Sequence, residues 1–293
     1  MNKLLKFGII AGLVAGFVKG LATTIIGVPL VFKLGLPYYH LSPPPETPYA
    51  TIAANEIINS LIMGFIFGLI YAWTYKVIPK KGIWKGLVFG LFGFLIWHIR
   101  WVTLFLPYGQ FSWAAEQIIN GLIAWIPFGI TLGVVYELLH SKYYVPKREP
   151  KIIQYDMIGG FYPGAIAGLV GGIASFFANF TFSHDFAEYL VPGHVLDLSL
   201  ILGQLGGQIV FHMIWGTFLG LIFPKVYNLV PGRGIVKGLI YGLIGAFLIN
   251  ELTAALYWAG YGNFHISYMA IMTGGFQAIF YGLVLGYLYK PSK

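Results

Sequence analysis

GLIYAWTYKVIPKKGIWKGLVFGLFGFLIWH, running from Gly68 to His98, is written a second time 152 residues later as GLIFPKVYNLVPGRGIVKGLIYGLIGAFLIN, Gly220 to Asn250. Thirteen of these 31 positions are identical without a gap, among them Pro79 and Pro231, Lys85 and Lys237, and Gly90 and Gly242. Outward from this stretch, a shift of 153 lays Tyr108–Tyr136 on Tyr261–Tyr289. A shift of 156 lays GIIAGLVAG (Gly8–Gly16) on GAIAGLVGG (Gly164–Gly172). An internal period decides the fold before any local reading does, and one this long is a whole module rather than a solenoid unit. The chain reads as a tandem duplication, with a first repeat at 1–141, a basic linker at 142–152 and a second repeat at 153–293.

The module is a membrane module. Hydrophobic residues make up 58% of the chain and charged residues 10%, and the mean hydropathy is +0.76, far from the composition of soluble domains. Apolar stretches of about 20 residues, the length that crosses a hydrocarbon core, recur throughout. Spans are expected near 4–31, 50–77, 83–106, 112–140, 156–182, 196–223, 234–259 and 264–289. They lack the two-residue alternation of a barrel strand, so their backbone groups must be satisfied inside helices. The expected fold is an all-α polytopic membrane protein of eight transmembrane helices, arranged as a tandem parallel 4+4 repeat. Met1–Gly16 has the basic-then-apolar form of a signal peptide. Its counterpart at Gly160–Gly172 sits mid-chain, however, and the apolar run continues past Gly20.

Charge orients the spans. Lys3, Lys6, Lys76, Lys80, Lys81, Lys85, Lys142, Lys147, Arg148, Lys151, Lys225, Arg233, Lys237, Lys290 and Lys293 are fifteen of the eighteen basic residues, and all fall on one side of an eight-span path. The other side carries Lys33 and Glu46, then Asp185 and Glu188. Both termini are therefore expected in the cytoplasm, with the chain in the cell membrane. The net charge of +8 is this bias and needs no nucleic acid to explain it. Four spans per copy bring both copies in from the same side, so the repeats are parallel. The lack of cysteine excludes disulfides, thiolate metal sites and iron–sulfur clusters.

Glycine recurs every fourth residue in span one (Gly8, Gly12, Gly16, Gly20), span five (Gly160, Gly164, Gly168, Gly172), span three (Gly82, Gly86, Gly90) and span seven (Gly234, Gly238, Gly242). Such ridges let helix backbones approach closely. Ionisable groups within spans are costly and mark candidate sites. Those read here as a substrate or proton pathway are Lys19, Glu56, His98, Glu116, Asn120, Gln208, His212, Asn250 and Glu251. Direction of travel puts nearly all of them in the outer half of the bilayer or near its middle, as a pocket open to the outside. Across the repeat, Glu56 answers to Gln208, Ser60 to His212, His98 to Asn250 and, at the shift of 156, Lys19 to Ser175. Each has a plainer alternative. Lys19 can snorkel, or pair with Glu56 or Glu116. Arg100 between tryptophans suits an interfacial anchor, Glu116 a helix-start carboxylate and Asp197 a cap. His184, Asp185, Glu188 and His194 lack the fixed spacing of a metal site. No nucleophile elbow, P-loop or zincin motif occurs. No catalytic residue, metal or cofactor is expected, and the chain is not read as an enzyme. The lipid bilayer is the expected partner, a second copy or another membrane subunit is left open, and nucleic acid is not expected.

Val77-Ile-Pro-Lys followed by Trp84-Lys-Gly-Leu, with His98 nineteen residues after Pro79, resembles the YagU-like inner-membrane proteins. So do GLVAGFVK (Gly12–Lys19) and the acidic opening of span four at Glu116. The resemblance implies two fused modules of a small apolar family linked to acid tolerance in bacteria, with Lys19, His98, Glu116 and His212 as family-like positions. Neither half keeps the whole set, and Asn120 stands where a family histidine is expected. From the residues, the function expected is a carrier or channel for a small polar solute, ion or proton. The alternative is a non-catalytic structural or accessory subunit of a membrane complex.

Overall fold

The computed structural model describes residues 3–37, 48–99, 101–102, 109–143, 158–182, 198–260, 262 and 264–291. Among these the chain is all helix, with no strand. Eight helices are long and apolar enough to cross a membrane. They are α1 (Lys3–Lys33), α2 (Tyr49–Thr74), α3 (Gly82–Ile99), α4 (Phe111–Tyr143), α5 (Phe161–Phe182), α6 (Leu198–Val226), α7 (Gly234–Gly260) and α8 (Phe264–Leu288). The chain divides into two compact units, Met1–Ile152 and Ile153–Lys293. Most of the basic linker, together with Arg100, His184, Asp185, Glu188, His194 and Asp197, lies outside the described residues.

In the first unit α1 packs on α2 and on α4, and α4 packs on α3. Lipid tails are as apolar as leucine, so helices here associate by close packing rather than by escape from water. Glycine makes that packing possible. A Cβ built on Gly8 would lie 2.4 Å from Gly68 O, on Gly12 2.1 Å from Gly64 O, and on Gly16 2.2 Å from Ser60 O. Rising numbers on α1 thus meet falling numbers on α2, and the pair is antiparallel. Gly86 against Gly129 and Gly133, and Gly90 against Trp125 and Gly129, join α3 to α4 in the same way. The ring of Phe67 on α2, 6.0 Å from Phe89 on α3, closes the four helices.

The second unit makes the same contacts. α5 packs on α6 and α8, and α8 on α7. Gly160 meets Gly220 O, Gly164 meets Gly216 O and Gly168 meets His212 O. These distances equate Gly8 with Gly160 and Gly12 with Gly164, an offset of 152 rather than the 156 read from sequence identity. Ser175 therefore stands where Thr23 does, and Gly171 where Lys19 does. On α8 the offset is 153, since Gly86 meets Gly133 as Gly238 meets Gly286.

One end of each unit is aromatic. Tyr71 sits 5.1 Å from both Phe89 and Tyr136 and 5.6 Å from Tyr75. Phe223 sits 4.8 Å from Tyr241, 5.2 Å from Tyr289 and 5.3 Å from Tyr227. Beside each cluster a lysine from the following helix is locked over a ring. Lys85 donates to Tyr75 O at 2.6 Å with its ammonium 3.9 Å from that ring; Lys237 donates to Tyr227 O at 2.6 Å with its ammonium 4.1 Å from its ring. Each contact joins a hydrogen bond to a cation–π attraction worth about 0.5–2 kcal/mol. The turns before α3 and α7 match as well. Lys80 takes a positive φ of 76° where Gly232 takes 90°, a left-handed conformation that costs a residue with a Cβ.

Candidate functional site

The opposite end of the first unit is polar. It is formed by the second half of α1, the last turns of α3 and the first turns of α2 and α4, which antiparallel packing brings to one level. Lys19 is 6% exposed, neither snorkelling nor solvated, and donates to Ser60 Oγ at 3.1 Å. Its ammonium lies 5.6 Å from the ring centre of Trp125, and Glu56 acts on it through its charge. Glu56, Asn59, His98, Gln117 and Asn120 are buried too. Glu116 is wholly buried, so it is not a helix-start carboxylate held in water.

Four of these groups form one chain. Gln117 Nε2 donates to Glu116 Oε2 at 2.6 Å, and Asn120 Nδ2 donates to Glu116 Oε1 at 3.4 Å. His98 Nδ1 lies 3.0 Å from Gln117 Oε1. An ionised carboxylate only accepts, so it turns the amide nitrogen of Gln117 toward itself and leaves Oε1 as acceptor for His98. The proton on this imidazole is thereby assigned to Nδ1 by the network. The His98 ring stacks on Phe94 and packs against Gly121, where a Cβ would come within 2.6 Å of it. The imidazole of His98 is thus linked to the carboxylate of Glu116 through one amide.

Helix α1 is not regular here. Thr23–Gly27 form a π turn, in which each N–H reaches back five residues, and such turns gather at functional sites. The backbone remains satisfied: Val28 N–H bonds Thr23 O, and Tyr49 OH donates to Thr24 O. Lys19, Thr23 and Gly27 fall at steps of four on one stripe facing α4. Thr23 Oγ1, Asn120 Oδ1 and Trp125 Nε1 are buried on this interface without a hydrogen-bond partner. Asn120 Oδ1 points at α1, 2.5 Å from where a Cβ on Gly27 would stand.

The second unit keeps polar groups at the same end but changes them. His212 is buried, and its Nδ1 donates to Gln208 O at 2.7 Å. The side chain of Gln208 is half-buried, and that of Asn250 lies outside the described residues. Glu251, 5% exposed, occupies the place predicted for Asn250: its Cγ comes within 2.0 Å of a Cβ on Gly274, as the ring of His98 does on Gly121. The cause is local. The π segment of α7 begins at Leu243, the counterpart of Leu91, whereas that of α3 begins four residues later, at Leu95. The wider turns carry the helix face forward by one residue. Opposite, α8 has Met269 where α4 has Glu116, and Thr273 where it has Asn120. Thr273 Oγ1 donates to Met269 O at 2.8 Å. Gln277 packs on Gly171, the position of Lys19.

The structure therefore brings together Lys19, Glu56, His98, Glu116 and Asn120 within the first unit, all buried. Gln208, His212 and Glu251 belong to the second. Sequence reasoning missed Thr23, Gly27 and Trp125. Thr23 and Ser175, small hydroxyls at matched positions, were the available signal, hidden by the shift of one turn. No group of three or more histidine, cysteine or acidic side chains suited to a metal ion occurs among the described residues. The chain matches no protein-family model, no curated protein and no solved structure.

Proposed function

We propose that this multi-pass membrane protein is a carrier or channel for a small polar solute, ion or proton, built as two parallel four-helix repeats with both termini in the cytoplasm. One observation carries the reading. All four helices of the first unit send a buried polar side chain to the same level, and the hydrogen bonds run unbroken from His98 through Gln117 and Glu116 to Asn120. Buried ionisable groups in a membrane cost several kcal/mol and persist where function needs them. Packing alone would be served by the backbone-to-backbone glycine contacts, such as Gly8 with Gly68, Gly12 with Gly64 and Gly86 with Gly133, which do not involve these residues. Contacts repeated at offsets of 152 and 153 support the tandem arrangement, and the basic connections support the orientation. The YagU-like resemblance agrees at Lys19, His98 and Glu116, and a link to acid tolerance suits a proton as the transported or coupling ion.

The test is flux in liposomes containing the purified chain. Proton or alkali-ion movement should be measurable, and His98→Ala or Glu116→Gln should cut it by about tenfold or more, the usual scale for loss of a positioned proton-transfer group. Flux that is unchanged in both variants, or no flux for any ion tried, sinks the proposal. A chain that transports nothing and purifies with a stable partner is an accessory subunit.

A further inference from the structure

We infer that the turn between α2 and α3 docks the headgroup of an anionic phospholipid, with Lys76, Lys80 and Lys81 facing its phosphate and the indole of Trp84 set at headgroup level. This surface lies at the aromatic end of the first unit, away from the polar cluster, and does not rest on the carrier reading.

The second unit supplies a comparison within the chain, because its turn between α6 and α7 has the same backbone. Val77 N–H and Ile78 N–H bond Thr74 O at 2.9 and 3.3 Å, as Leu229 N–H and Val230 N–H bond Val226 O at 2.8 and 3.2 Å. Lys81 takes φ −136° and ψ 156°, and Arg233 takes −139° and 149°. Gly82 and Gly234 follow at φ 54° and 48°. Lys85 and Lys237 brace the two turns alike. The surfaces differ, however. Asn228 stands in place of Lys76, Gly232 of Lys80 and Val236 of Trp84, and only Lys81 keeps its charge, as Arg233. The turn therefore forms without these side chains.

Lys80 even works against its backbone. Among the described residues it is the only one other than glycine with a positive φ, 76°. Glycine at the matched place takes 90° with no Cβ to strain. A strained surface residue that glycine could replace points to a use for its side chain.

The side chains are available and close together. Lys76, Lys80 and Lys81 are exposed, and none pairs with another described residue. Glu137, the described acid at this end of the unit, accepts from the Tyr75 hydroxyl, and Lys85 is engaged with Tyr75 O. Lys80 and Lys81 are adjacent, and Trp84 lies three residues beyond Lys81, about one helical turn. The Lys85–Tyr75 bond ties the neighbour of Trp84 to the neighbour of Lys76. Trp84 is 63% exposed, and indole favours the boundary between acyl chains and water. Each lysine near an anionic membrane surface strengthens binding by about fivefold. A soluble polyanion would also meet the lysines, but it gives no reason for an exposed tryptophan at the start of a membrane span.

The experiment is lipid retention by the full chain in neutral detergent, read by native mass spectrometry with phosphatidylglycerol and phosphatidylcholine as probes. Wild type should retain phosphatidylglycerol in preference, and rising salt should erode the preference. Lys76→Gln and Lys81→Gln should each lower it about fivefold. Lys80→Gly should do the same while the melting temperature holds or rises, which separates lost binding from lost folding. Lys80→Arg should keep the preference, and Trp84→Ala should lower retention of both lipids. Equal retention of the two lipids by wild type, or a preference unchanged when Lys80→Gly and Lys81→Gln are combined, overturns the inference. Displacement of phosphatidylglycerol by inorganic phosphate also overturns it, since the site would then belong to a free anion.

Discussion

At the level of single residues, Tyr71 shows how the two units test each other. Its ring is the hub of the aromatic end, yet its hydroxyl is buried without a partner. At the matched place the second unit has Phe223, with the same ring contacts and no hydroxyl to satisfy. Tyr71→Phe should therefore leave the fold intact and raise thermal stability, by up to about 1–3 kcal/mol if the whole cost of the orphaned hydroxyl is recovered. A fall in melting temperature would show that the hydroxyl is used. The charged residues of the site were legible in the sequence because Lys19, Glu56, His98 and Glu116 stand out against an apolar background. Thr23, Asn120 Oδ1 and Trp125 Nε1 owe their importance to a partner they lack, and a missing hydrogen bond leaves no mark on composition.

Among the helices, sequence and structure differ most where small residues or turns are degenerate. Glycines every four residues in α1 and α5 match each other at offsets of 152 and 156 alike, since a slip of one turn still lays glycine on glycine. Only the neighbouring backbone separates the two, because Gly12 and Gly164 approach the matched oxygens of Gly64 and Gly216. The earlier start of the π segment in α7 was equally silent, for no residue type marks a turn that widens. Their result is that Glu251 replaces Asn250 at the wall of the site. The steric claim is direct. Gly12→Leu would drive a side chain into the backbone of Gly64 and Gly68 and should part α1 from α2, with a loss of about 1–3 kcal/mol or more. Leu13→Ala on the exposed side of the same helix, which Leu13 faces at 37% exposure, should cost far less. Equal losses from the two in a thermal or denaturant series would mean that the close approach is not what joins the pair.

For the molecule as a whole, the eight helices and the division into two units follow from features visible in the chain itself: the length of the apolar runs and the second writing of Gly68–His98. Orientation rests on charge alone, and the natural absence of cysteine makes it straightforward to check. Single cysteines at Ser42 and Ser292 should label oppositely with a membrane-impermeant maleimide. Ser42→Cys should react in intact cells, and Ser292→Cys only after permeabilisation. Reaction of both, or the reverse order, would refute the proposed topology.

The glycine contacts also bear on how such a chain is made. Each tight joint, α1 with α2, α3 with α4, α5 with α6 and α7 with α8, links helices that emerge from the ribosome one after the other. A hairpin of this kind can zip as soon as its second helix is synthesised, with little entropy lost in closing the short connection. The α1–α4 and α5–α8 contacts must wait for a full set of four. Biogenesis would then proceed by hairpins laterally released into lipid as dry, preassembled pairs. The buried charges of Lys19 and Glu56 would enter the bilayer already in each other's company.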